Sequence, residues 1–268
     1  MYTFRVTSLR ILVILAFFLA APSSAHAALI DLDALLDLNA FVDEVTNPFF
    51  PLKPGTTFFY EGTEDGVSQS NSFTVTFDTK QILGITTTVV HDRAFEEGEL
   101  IEDTFDWFAQ DAAGHVWYFG EDTTEFDPDT GLPISTAGSW EAGVDGAKAG
   151  IIMLANPQVG DMYQQERAAG VAEDQAEVLS LNESACLPFG CFNNLLLTKE
   201  VNPLDPGIAD HKYYAGGVGF LFGDRVEGEG EEHTELVRVG AVPEPSSFLL
   251  LGSGLLGLAG SRRRRPRR

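Results

Sequence analysis

Basic residues are scarce in this chain: 17 lysines and arginines stand against 40 aspartates and glutamates. Eight of the 17 lie at the two ends, Arg5 and Arg10 near the start and six arginines at the close. The stretch between holds nine basic and 39 acidic residues, a net charge near −30. Bringing phosphates to such a surface costs Coulomb energy with no release of counterions in return, so nucleic acid and anionic lipid are excluded as partners of the body. Cysteine is nearly absent. Cys186 and Cys191, in CLPFGC, are too few for a closed zinc site, and in an oxidising compartment they close a small disulfide loop. Histidine is equally sparse. His91, His115, His211 and His233 are scattered, with no H-x-H or H-E-x-x-H spacing, so no histidine metal centre is written in the chain. Ser139 lacks the second glycine of a nucleophile elbow, and no repeat of fixed period appears. The sequence therefore points to no catalytic residue and to a non-enzymatic body.

What is present begins at the ends. Residues 1–27 run from Arg5 and Arg10 through an apolar stretch, 11–21, to small residues closing on Ala25-His26-Ala27. That is the layout of a secretory signal peptide cleaved after Ala27. The other end reads PEPSSFLLLGSGLLGLAGSRRRRPRR. Its apolar part, 246–260, is shorter than the roughly 20 residues that cross a bilayer comfortably. Arg262, Arg263, Arg264, Arg265, Arg267 and Arg268 follow at once and hold the end of the chain on the cytoplasmic side. The expected behaviour is a transient stop in the inner membrane, body exported and tail caught. Pro243-Glu244-Pro245 lies just outside, where prolines keep the backbone extended and accessible to a protease.

Between the ends the pattern is that of a β protein. Residues 28–47 carry apolar side chains at Leu32, Leu35, Leu36, Leu38 and Phe41, near helical period, and predict one short helix that the prolines at 48, 51 and 54 stop. From Thr57 the period becomes two, clearest in Phe73-Thr-Val-Thr-Phe77. Turn signals such as Glu97-Gly98 and Ala113-Gly114 divide 57–126 into four or five antiparallel strands, and shorter strands return between 162 and 239. Rings at Trp107, Phe108, Trp117, Tyr118 and Phe119 fall on both faces, which requires cover on both. The predicted fold is thus mainly β, a single antiparallel domain over 48–240, either a sandwich or a curled sheet approaching a half-barrel. Residues 127–157, rich in glycine and without a period, predict an irregular crossover pinned by Trp140 and by Ile151 to Met153, with a lid as the alternative. The acidic run at 227–235 reads as a solvated turn between the last two strands.

Three constellations in the body carry chemistry. A hairpin joining the strand with Glu102, Asp103 and Asp106 to the one with Glu121, Asp122 and Glu125 would bring two carboxylates together for glycosidase-type hydrolysis near Asp106 and Glu121. Glu125, Asp127 and Asp129 alternate ahead of Gly131 as in an oxygen-ligand calcium loop, although Pro128 stiffens it and the closing glutamate is missing. That keeps calcium as the one candidate cofactor, in a calcium-dependent adhesion module. Trp107, Trp117, Trp140, Tyr118, Tyr213 and Tyr214 would stack on sugar rings if exposed, against the simpler expectation that they fill the core.

The closing segment, with Pro243-Glu244-Pro245, a short apolar helix and the arginine cluster in that order, resembles the PEP-CTERM sorting signal of Gram-negative bacteria that build extracellular polysaccharide. The resemblance implies an exosortase, a membrane protease, as processing partner, and a destination at the cell surface or in the exopolysaccharide matrix. Through PLKPGTTFFYEG, DWFAQDAAGHVWYFGED, GSWEAGVDGAKAGIIM and KYYAGGVGFL the body also resembles exported bacterial proteins of uncharacterised activity. That second resemblance transfers no functional residue.

Overall fold

A computed structural model describes residues 28–241. The expected leader at 1–27, the Pro243-Glu244-Pro245 motif, the expected short transmembrane helix and the arginines from Arg262 to Arg268 lie outside the described residues. Among the described residues no helix is long and apolar enough to cross a membrane.

The chain folds as one antiparallel sheet. After α1 (Leu32–Leu35) and β1 (Phe41–Val42) come five long strands in a meander, β2 (Thr56–Glu64), β3 (Val67–Ile82), β4 (Ile85–Glu96), β5 (Glu99–Asp111) and β6 (Val116–Phe126). Three short strands, β7 (Pro133–Ser135), β8 (Trp140–Glu141) and β9 (Gly150–Met153), all return to β6. A second meander follows: β10 (Met162–Gln164), β11 (Gln175–Leu187), β12 (Gly190–Val201), β13 (Ala209–Ala215), β14 (Gly219–Glu227) and β15 (Glu232–Ala241). β15 pairs with β2 along the full length of β2, from Ala241 opposite Thr56 to Glu232 opposite Glu64. The two meanders are thereby one continuous surface.

Local chemistry sets this topology. Asp65-Gly66, Leu83-Gly84 and Glu97-Gly98 each have positive φ at both residues, the turn whose twist matches that of paired strands, and they fix the three hairpins β2–β3, β3–β4 and β4–β5. Disruption of the ladder bends the strands. Register breaks between Val75 and Thr79 in β3 and between Asp106 and Phe108 in β5, and after the first of these Phe77 points into solvent, 40% exposed, instead of sharing the face of Val75.

The curl carries the sheet's two ends toward each other. Lys148, just before β9, bridges to Arg167, and Leu29 bridges to Met162 at the start of β10. Gly150 passes so near the 164–165 backbone that a Cβ there would stand 2.1 Å from the Gln165 carbonyl oxygen. Inside the curl Val75, Val90, Leu196, Leu221 and Leu236 are fully buried. The outer face of β5 and β6 is covered as well: Phe41 packs edge-on to Trp117 and Phe119, and the Trp117 indole donates to Asp111 at 2.9 Å. Aromatic residues on both faces of these strands are accounted for by this double cover.

The structure differs from the sequence reading at two places. The helix expected across 28–47 is a single turn: Asp31 caps it through Asp33 and Ala34, then Leu36 turns extended and the Asp37 carboxylate holds the Asn39 backbone in a new turn. Leu35 and Leu38 are exposed, because the chain is drawn into strand pairing at Phe41 opposite Asp111. Residues 127–157 form the expected crossover, but it is not irregular throughout: three short strands, β7, β8 and β9, pair with β6 where the sequence shows no period.

Candidate functional site

The concave face of the curl does not close completely on itself. A cavity of about 530 Å³ lies between the wall made by β2 to β6 and the wall made by β13 to β15, with Phe50, Pro51 and Leu52 contributing from the segment before β2. Side chains alternate in and out along each strand, so the pairing register dictates which residues share this face. Phe58 pairs with Phe73, Phe73 with Asp92 and Asp92 with Thr104; one step along, Val75 pairs with Val90, Val90 with Asp106 and Asp106 with Glu121. Each row starts apolar and reaches an acid, Asp92 in the first and Asp106 with Glu121 in the second.

The apolar part is aromatic. Phe50 lies 5.2 Å from Phe108, and Phe108 stacks on Tyr118 at 4.6 Å. On the facing wall Phe220 lies 5.3 Å from Tyr60 and 5.6 Å from Tyr214.

At the acidic end the Tyr118 hydroxyl lies 2.6 Å from Asp106 Oδ1 and 2.6 Å from Glu121 Oε2. A phenol has one proton to donate. With two carboxyl oxygens at that distance, one of the acids must itself carry a proton and donate it to the phenol oxygen. The surroundings favour such protonation: burial first, then the charges of Asp92 and Glu121, hold Asp106 well above the usual carboxylate range. Burial likewise pushes Glu121 to about 7, Asp92 to about 7 and Glu166 to about 8. Asp92 is steadied by the Asn71 amide at 2.6 Å. Across the cavity Lys212 and Glu200 form an ion pair at 2.8 Å, and Glu200 also accepts from Thr198 at 2.9 Å and Tyr214 at 3.0 Å.

The remaining sequence candidates lie elsewhere. Asp127 accepts from the backbone N–H and the hydroxyl of Thr130, closing its own turn, while Asp129 is exposed beside it. No group of three or more His, Cys, Asp or Glu is gathered for a metal ion among the described residues, the segment of Glu125, Asp127 and Asp129 included. Cys186 and Cys191 stand opposite each other at the end of the β11–β12 hairpin and are joined by a disulfide, far along the strands from the cavity. Each paired histidine has its own aspartate: His91 with Asp103, His115 with Asp111, His233 with Asp224. Trp107, Trp117, Trp140, Tyr118 and Tyr214 are all buried, so these rings form no exposed sugar platform; Tyr213 stacks on Phe222 at 4.1 Å. Pairing of Asp106 with Glu121 follows from the hairpin between their strands. Asp92, on β4 beside β5, lies within reach of the same kind of hairpin argument but was not singled out; Glu166 and Lys212 gave no signal of their own, because only the curl brings them near.

Residues 241–265 match the family model described as the PEP-CTERM protein-sorting motif. The chain ends in a PEP-CTERM signal. This motif marks an exported protein of the cell envelope and implies an exosortase as its processing enzyme. It covers the tail alone. No curated protein matches the chain. Among solved structures the chain is similar to a protein from Bacteroides fragilis with a YmcC-like fold, described as exported, at 14% identity and a TM-score of 0.43 over 75% of this chain and 99% of that one. It is also similar to a protein from Parabacteroides distasonis described as a lipoprotein, at 11% identity and a TM-score of 0.40 over 74% of this chain and 100% of that one.

Proposed function

We propose that this PEP-CTERM protein is exported across the inner membrane of a Gram-negative bacterium, trimmed at its tail by an exosortase, and retained at the cell surface or in the exopolysaccharide matrix as a non-catalytic binding module. The observation that carries the binding role is the concave cavity: a stable β domain fills its interior, and this one keeps about 530 Å³ lined by rings and tipped with acids. Intact mass and fractionation of the native protein, with and without the sorting protease, test the route. The expected product begins near Ala28, ends near Pro243 and is found outside the cell. A product that keeps its arginines in the inner membrane, protease or not, would sink the proposal.

A second reading, hydrolysis by Asp106 and Glu121, draws on one observation. Both carboxyl oxygens lie 2.6 Å from one hydroxyl and so are at most twice that distance apart, close to the roughly 5 Å separation of a retaining glycosidase pair. The Tyr118 hydroxyl, however, occupies the gap where a sugar carbon would have to sit. Glu121 also stays off the cavity lining. Binding is therefore the better account, and hydrolysis of the organism's own polymer that disappears in Glu121→Gln would reverse the preference.

A further inference from the structure

We propose that the concave cavity binds an organic ammonium ion, a cationic nitrogen carried on a largely apolar body. The inference rests on the reading of the cavity as a binding site and names the class of ligand. Its first support is the walls. Phe50, Phe108, Tyr118, Tyr60, Phe220 and Tyr214 all line it, and aromatic rings attract a cation through their quadrupole, most strongly where water is excluded.

The second support is an acid left without a cationic partner. Asp106 lines the cavity at only 7% exposure; its Oδ1 is taken by Tyr118, and no donor among the described side chains reaches Oδ2. Asp92 lines the same wall and is held by neutral donors, the Asn71 amide and the Arg93 backbone N–H. Nearby basic side chains are already engaged. Lys212 holds Glu200 at 2.8 Å, Arg225 at the rim pairs with Glu232 and Asp210, and His233 with Asp224. The cavity thus presents two carboxyl groups with no cationic partner inside an aromatic enclosure.

Other ligand classes fit less well. A bare metal ion needs several oxygen ligands, and no such group is gathered among the described residues. A polyhydroxylated sugar needs many hydrogen-bond partners, and an apolar wall leaves most of its hydroxyls unpaired. An anion would meet Asp92 and Asp106 directly.

Ligand charge also couples to protons here. Asp92 is faced by Asn71 and Tyr60 on β3 and β2, by Glu102 and Asp106 on β5 and by Glu121 on β6; Asp106 is faced by Tyr118, Glu121 and, from beyond β10, Glu166. Lys212 and Glu200 stand on the opposite wall as a closed pair. A cation entering this group favours the ionised carboxylates and expels protons, so affinity rises with pH through about 7.

The test compares benzyltrimethylammonium, whose charge does not change with pH, with its uncharged carbon isostere neopentylbenzene, by calorimetric titration of the whole protein at about pH 6 and about pH 8. The cation is expected to bind about tenfold tighter than the isostere at the higher pH, with the ratio narrowing at the lower one. Asp92→Asn with Asp106→Asn is expected to abolish the ratio. Because the pair of probes is compared on the unaltered protein first, the result does not depend on that variant folding. Equal affinity for both probes overturns the ammonium inference and leaves the cavity a binding site. Binding of neither overturns the binding module itself.

Discussion

Lys212→Met isolates a charge that the fold can hold only as one of a pair. Glu200 is 7% exposed, and its one cationic partner among the described residues is the Lys212 ammonium at 2.8 Å; the hydroxyls of Thr198 and Tyr214 also donate to it. Breaking a buried pair by removing one member costs about 3–5 kcal/mol. The low end applies, about 3 kcal/mol, because the lysine side chain is 40% exposed and water already screens part of the attraction. For a domain of this size that is a fall in Tm of about 6–12 °C. The double change Lys212→Met with Glu200→Gln removes both charges and should recover most of the loss. The sign with pH follows from Glu200. Burial pushes its pKa up, but the charge and hydrogen bond of Lys212, with Thr198 and Tyr214, hold it below the usual glutamate range. Its stabilisation is therefore complete above the ordinary glutamate value and lost as pH falls through the lowered one, so the single variant should approach the wild type in acid. Scanning calorimetry at about pH 7.5 and about pH 4 reads both effects. A loss under about 2 °C at the higher pH, or an equal loss in the double variant, would refute the reasoning.

The other two predictions concern the closure of the curl and its acids. Gly150→Ala places a Cβ 2.1 Å from the Gln165 carbonyl oxygen and should cost more than about 3 kcal/mol by chemical denaturation, whereas Gly216→Ala, with nothing within 4 Å, should change stability by less than about 1 kcal/mol; similar values for the two would mean the ends of the sheet do not meet there. The elevated carboxyls make the body most stable when they are protonated: Asp92 and Glu121 at about 7 and Glu166 at about 8 bind protons that the unfolded chain has released, so stability falls as pH rises from about 5 to about 8. A melting temperature that climbs over that interval would contradict this placement of the acids.

Much of the architecture is legible because each hairpin is specified locally. Alternation in Phe73-Thr-Val-Thr-Phe77 and the Glu97-Gly98 turn contain their own geometry, and β3 to β6 follow as antiparallel strands within the expected 57–126, although β3 runs well beyond Phe73 and Phe77 at both ends. The single turn of α1 was not legible, since the spacing of Leu32, Leu35 and Leu36 satisfies a helix until strand pairing at Phe41 competes for the chain. β7, β8 and β9 escaped for a related reason: two to four residues are too short to show a period, and their strand character comes from β6. Contact of β9 with the turn before β11 depends on the total twist of the sheet, which no window of sequence encodes.

The site was half legible for the same physical reason. Asp92, Asp106 and Glu121 belong to successive strands β4, β5 and β6, so a hairpin argument can reach them; Glu166 and the Lys212–Glu200 pair come from strands whose approach to β5 and β6 is a property of the curl. One local signal does mark the place. Along the inward row of β4 and β5, alternation asks for apolar side chains at Asp92 and Asp106, next to Val90 and Phe108 on the same face, and the chain supplies carboxylates instead. In a body with 39 acids such departures are easily read as solubility. Charges set against apolar neighbours on an inward face carry a desolvation cost that a solvated acid does not, and valine or leucine there would give a more stable sheet. Where a strand breaks its own pattern at such a cost, in adjacent rows and toward one cavity, the break is better explained by what the cavity holds than by how the sheet folds.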